Sequence, residues 1–191
     1  MTNEAIYNKS IETQELQLPG LGLKLTHYGI VVFLLFSPLM TIVFHLTDYF
    51  SYGYTYFKDG ELWFAFLPSA LAVIFYFIQK KRLKFKIVQT TLSAQQLKEV
   101  ISEVSKNLKW VPMSSSEKTY VAKTFPGFFS GSWGEQITVL FHENTVFINS
   151  ICDPDKRPSV VSWGRNSENE NTLADKINEA TNKLTPAAGL H

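Results

Sequence analysis

The 191-residue chain has one cysteine, Cys152. A single thiol closes no internal disulfide, which suits a reducing compartment. Cys-x-x-Cys, His-x-x-x-His and His-Glu-x-x-His spacings are missing, and with them the usual zinc patterns. Asp153 and Asp155 lie in DPDKRP, without the ligand spacing or terminal Glu of a calcium loop. There is no Gly-x-x-x-x-Gly-Lys phosphate loop. No metal or cofactor is expected from these patterns.

Basic excess is also lacking where a nucleic-acid binder would need it. Residues 89–191 carry ten Lys/Arg against eleven Asp/Glu, a net charge of −1. Phosphate-backbone binding needs a basic footprint. An α-β-β-β-α order invites comparison with double-stranded RNA-binding domains, but the second helix opens on the acidic NSENEN. Nucleic acid is therefore excluded as a partner.

The most informative absence is charge in two long apolar runs. Residues 28–46, YGIVVFLLFSPLMTIVFHL, are nineteen positions without Asp, Glu, Lys or Arg, and residues 62–79 are eighteen more. A bilayer core about 30 Å thick takes about 20 helical residues, and neither run has the polar face of a soluble helix. Both read as transmembrane helices, 28–47 and 62–79. The first does not read as a cleavable signal, because 27 largely polar residues precede it and no Ala-x-Ala site follows.

Orientation follows from what flanks the runs. The connector 48–61 has Lys58 against Asp48, Asp59 and Glu61, whereas the exit carries Lys80, Lys81, Arg82, Lys84 and Lys86. Basic residues near span ends stay in the cytoplasm, so the aromatic connector is expected outside and both termini inside. With no organelle signals, a bacterial cytoplasmic membrane is expected. The five basic residues are candidate contacts to anionic lipid, at about 1 kcal/mol each near the surface. Inside the runs His45 is the one ionisable residue, too little for an ion pathway. Pro38 and Pro68 free carbonyls that Ser37, Ser69 or the partner helix can satisfy. Residues 16–25, LQLPGLGLKL, alternate Leu with other residues, which suggests either a strand pairing with Leu83–Val88 at the membrane surface or an interfacial coil.

Residues 80–185 read as a cytoplasmic α+β domain, and 186–191 as a tail. Ser93 and Gln96 form a capping box, and Leu97, Val100, Ile101, Val104 and Leu108 mark one helical stripe that Trp110-Val111-Pro112 ends. Strands are expected at 118–125, 136–142 and 145–151, with Glu143-Asn144 as a two-residue turn in which Asn takes positive φ. Ser167 and Glu170 suggest a second capping box ahead of Leu173, Ile177, Ala180 and Leu184. The order β-α-β-β-β-α implies an antiparallel sheet with its helices on one face.

No catalytic constellation emerges, and the chain is not expected to be an enzyme. With His142 opposite Thr145, Cys152 lies opposite Glu135, seven residues along the strand from His142. At about 3.3 Å per residue that is about 23 Å, beyond dyad reach. Two segments exceed what a plain scaffold needs. In FPGFFSGSWGE, 125–135, the rings either complete a small core or form a membrane-dipping tip or partner-docking patch. In 153–171, Trp163, Arg165 and Asn166 open a helix, where anions bind. Together with Trp133 they are the candidate ligand or partner contacts. The expected role is protein interaction or regulation from the membrane, with lipids and a protein partner or second copy as partners. The alternative is a small-ligand or lipid-headgroup binding domain.

Overall fold

The computed structural model describes residues 2–127, 132–159, 162 and 164–184. The chain opens with α1 (Asn3–Thr13) and the short α2 (Gly20–His27), then two long helices, α3 (Gly29–Tyr52) and α4 (Glu61–Arg82). The sheet domain follows as β1 (Lys86–Gln89), α5 (Ala94–Asn107), β2 (Val111–Ser115), β3 (Thr119–Lys123), β4 (Glu135–His142), β5 (Thr145–Cys152) and α6 (Arg165–Leu184). It is an α+β arrangement on one five-stranded antiparallel sheet, ordered β1-β5-β4-β3-β2.

Local sequence signals account for much of this. Gln96 N donates to Ser93 Oγ (3.3 Å) and Ser93 N to Gln96 Oε1 (2.9 Å), closing the capping box of α5. The β4–β5 hairpin has the expected register, His142 opposite Thr145 and Glu135 opposite Cys152. Its turn places Glu143, not Asn144, at positive φ (50°).

Several further expectations are corrected. Residues 111–115 form an additional strand, making the domain β-α-β-β-β-β-α. Pro112 hides it in the sequence, because Pro within sheets is confined to edge strands, strand starts and bulges; β2 is an edge strand and its register shifts between Pro112 and Ser114. Ser167 and Glu170 do not cap α6, which begins earlier, at Arg165; the Glu170 carboxylate instead accepts from Ser150 N on β5 (2.8 Å). Residues 16–25 are not a strand. Among the described residues, only the bridge Glu15–Lys84 pairs the two segments that flank the helix pair. After Pro19 the chain turns helical, placing Leu21 and Leu25 on one exposed face while Leu23 packs inward.

Helices also cover both faces of the sheet. On one face α5 and α6 bury Leu97, Ile101, Val104, Leu173 and Ile177 against Val139, Val146 and Ile148. On the other, Tyr7, Leu16 and Leu18 pack on Phe85, Leu140, Phe147 and Ile151. Tyr7 Oη donates to Phe141 O at 2.6 Å, fixing α1 to β4.

The long helices form an antiparallel pair, each long and apolar enough to cross a bilayer, with 6% of each apolar window buried. Pro68 has no N–H for the Phe64 carbonyl, and Ser37 Oγ on α3 donates to it instead (2.7 Å). At the far end His45 Nε2 lies 3.1 Å from Glu61 Oε1.

At the near end, the pair is built into the domain. Asn149, fully buried in β5, donates Nδ2 to the carbonyls of Arg82 (2.8 Å) and Lys84 (3.0 Å). Leu16 N donates to Leu83 O (2.7 Å) and Phe85 N to Gln14 O (3.0 Å). Pro158 packs so closely on Gly29 that a Cβ there would lie 2.5 Å from its ring.

Two predictions follow from these contacts. Asn149→Ala leaves two carbonyls at the end of α4 without their donor and should cost about 2–4 kcal/mol; hydrogen exchange at residues 83–86 should rise well before the rest of the sheet opens. Ser37→Ala orphans Phe64 O and should lower stability in detergent by about 1 kcal/mol, read by thermal unfolding.

Candidate functional site

Two polar clusters lie where the domain meets the near end of the helix pair. The first holds the 124–135 loop. Glu135, 1% exposed, accepts from Ser132 Oγ (2.6 Å) and from the Thr124 hydroxyl, while Thr124 N donates to Glu135 O (2.9 Å). Gly134 has φ 115°, and a Cβ there would lie 2.5 Å from Thr124 O, so the loop base demands glycine. Of the loop's rings, Phe125 and Trp133 are exposed, not core. Lys156 Nζ lies 4.7 Å from the Phe125 ring centre and the Arg157 guanidinium 4.8 Å from that of Trp133. Phe128 and Phe129 lie outside the described residues. Lys123 ties residues 153–155 to the sheet through Asp153 (2.7 Å) and Asp155 (2.5 Å). Ser159 O then accepts from Gln79 Nε2 (3.3 Å) at the base of α4. The two unusual loops therefore meet each other beside the helix pair.

The second cluster surrounds the start of α6. Trp110 Nε1 donates to Asn169 Oδ1 (3.0 Å), Asn169 Nδ2 to Ser150 Oγ (3.0 Å), and Ser150 Oγ to Asn166 Oδ1 (3.2 Å). This chain fixes the first turn of α6 against β5. It borders a cavity of about 460 Å3 between the end of α4 and the start of α6, lined by Lys81, Arg82, Lys84, Asn166, Ser167 and Glu170 among others. Asn166 Nδ2 and Arg82 Nη1 are buried and have no hydrogen-bond partner among the described residues.

His27 completes the junction. Its Nε2 donates to Gln79 O (3.0 Å), and Gln79 Nε2 donates to His27 O (2.6 Å), with both side chains buried. Burial holds the imidazole below its ordinary pKa against the pull of the Gln79 carbonyl, and Arg82 lowers it further. Glu170 is shifted the other way: burial raises it to about 7, against the Ser150 N–H bond and the nearby Lys86 ammonium.

The candidate residues divide between these places. Lys81, Arg82 and Lys84 from the exit cluster converge with Asn166 on one cavity. Lys80 is exposed outside it, and Lys86 donates to Asn171 Oδ1 (2.6 Å). Arg165 lines a different cavity, of about 350 Å3, with Thr124, Phe125 and Glu168. Trp133 stacks with Arg157, and Trp163 lies outside the described residues. Asn149 and Ser150 are not singled out by the sequence, and Glu170 only as a helix cap. The readable signal was Asn149-Ser150 inside the apolar strand VFINSIC, since buried polar groups need partners.

Glu170 generates a pH prediction. Its folded-state pKa is raised, so its contribution to stability is full below the unfolded value of 4.5 and is lost as pH rises through about 7. Glu170→Gln removes that dependence. Between pH 5 and pH 8 the wild type should lose about 2 kcal/mol more stability than the variant, after discounting for partial exposure; paired denaturant titrations measure the difference.

Neither protein-family models, nor curated proteins, nor solved structures match this chain.

Proposed function

We propose that this is a two-pass integral membrane protein that holds a small α+β recognition domain against the cytoplasmic face of the membrane, working by binding and regulation and not by catalysis. The observation that carries the reading is the unburied apolar surface of the helix pair. Phe33, Phe36, Phe44, Phe64, Phe66 and Phe77 are each more than 60% exposed. Soluble monomers seldom expose contiguous apolar patches beyond a few hundred Å2, whereas acyl chains solvate such a surface. The exposed Leu21 and Leu25 of α2 extend it to the headgroup level, and Tyr52, Tyr54, Tyr56 and Trp63 form an aromatic belt at the other end. The basic exit of α4 supports the cytoplasmic assignment of both termini, in the cytoplasmic membrane of a bacterium.

Recognition is favoured over catalysis by the arrangement of the polar groups. His142 and Cys152 lie at opposite ends of the β4–β5 hairpin, and the buried carboxylates and amides mostly hold loops and helix ends. Edge strand β2 is exposed along its whole length, with Val111 and Met113 on its surface. That edge suits a protein partner or a second copy, which can add a strand.

Single-cysteine labelling tests the topology. In a Cys152→Ser background, Tyr54→Cys should react with a membrane-impermeant maleimide on intact cells, and Gln95→Cys only after permeabilisation. Labelling of Gln95→Cys on intact cells would invert the orientation. Recovery of the chain in the soluble fraction without detergent would remove the membrane anchor altogether.

A further inference from the structure

We propose that the cavity between the end of α4 and the start of α6 is a binding site for a phosphate group, presented at the membrane surface by an anionic lipid headgroup. The lipid source rests on the membrane reading above; the phosphate chemistry does not.

Four observations converge on this cavity. Lys81, Arg82 and Lys84 bring three cations to its wall, against the single carboxyl of Glu170. That carboxyl is already engaged by Ser150 N (2.8 Å), and burial holds it partly protonated near neutral pH. The positive end of the 20-residue helix α6 opens on the same space, with Asn166 and Ser167 of its first turn in the lining. Asn166 is 8% exposed; its Oδ1 is taken by Ser150, yet its Nδ2 has no partner among the described residues, and neither does Arg82 Nη1. Two buried donors left unpaired are a standing cost. An oxyanion between them removes it, and a bidentate guanidinium contact suits phosphate geometry.

The neighbours of the cavity point to a lipid. Ile78, from the apolar stretch of α4, lines it together with the polar groups. Lys81 and Arg82 are the last residues of that helix, where it leaves the acyl region. A headgroup phosphate reaching Arg82 and Asn166 would keep its glycerol backbone beside Ile78. Free phosphate or a soluble phosphomonoester shares the polar half of this recognition but does not use the apolar wall.

The test uses the full chain in nanodiscs, with thermal unfolding midpoint as the readout. Three preparations are compared: phosphatidylcholine alone, phosphatidylcholine with increasing phosphatidic acid, and phosphatidylcholine with inorganic phosphate in solution. A saturable rise with phosphatidic acid but not with inorganic phosphate is expected and assigns a lipid headgroup. An equal rise with inorganic phosphate supports the phosphate site and assigns a soluble source. No rise in either overturns the proposal.

Variants separate the site from general surface attraction. Lys84→Glu should raise the half-saturating phosphatidic acid fraction about tenfold. Lys80→Glu, with the same charge change outside the cavity, should stay within about twofold. Equal losses in both would reduce the effect to surface charge and overturn the site. Asn166→Asp preserves the side chain's shape and its acceptor for Ser150 but replaces the free donor with a carboxylate, and should abolish saturation. If the chain fractionates without detergent as a soluble protein, the membrane reading fails, and the inorganic phosphate arm still tests the cavity in solution.

Discussion

Asn149 is the residue on which the rest of the architecture depends. A helix end leaves carbonyls that need donors, and α4 ends with its chain entering the sheet. Asn149 supplies that donor from the strand next to β1, binding Arg82 O and Lys84 O at once. The contact joins an apolar helix pair to a folded sheet without a flexible linker. Residues 14–16 close the junction from one side, and Pro158 against Gly29 closes it from another. The cavity lined by Arg82, Lys84, Asn166 and Glu170 lies beside this joint.

The joint also divides the basic cluster. As a stretch of sequence, Lys80–Lys86 is one block of charge. In the folded chain, helical geometry and the turn into β1 separate it into three destinations. Lys80 faces outward, Lys81, Arg82 and Lys84 turn toward the start of α6, and Lys86 reaches Asn171. Adjacent residues on a helix point about 100° apart, so charge density in sequence is a poor guide to charge density in space.

Signals contained within one element were legible. The Ser93–Gln96 box, the stripe of α5 and the β4–β5 register each depend on residues a few positions apart, and the two apolar runs declare themselves by composition. Contacts between distant segments were not. In NEAIYNKSIET, Tyr7 and Ser10 are the buried positions, too weak a pattern to announce a helix docked on the back of the sheet. Pro112 masks an edge strand. Ser167 and Glu170 have capping-box spacing, but the β5 backbone offered Glu170 a donor that outcompetes local capping. Of the candidate site, Asn166 and three of the basic residues were named from sequence; their meeting depends on the joint at Asn149, which no local pattern encodes.

The lengths of the helix pair acquire a consequence from that joint. At 1.5 Å per residue, the 24 residues of α3 and 22 of α4 span about 36 Å and about 33 Å, whereas their uncharged stretches, residues 29–46 and 62–79, each span about 27 Å, close to an average hydrocarbon core of about 30 Å. In a bilayer, a hydrophobic stretch longer than the local hydrocarbon layer tilts, and a shorter one thins the layer around it. With a flexible linker, tilt would end at the headgroups. With α4 gripped by β5, the sheet must swing with the helices, so any change in the direction of the pair is carried into the orientation of edge strand β2.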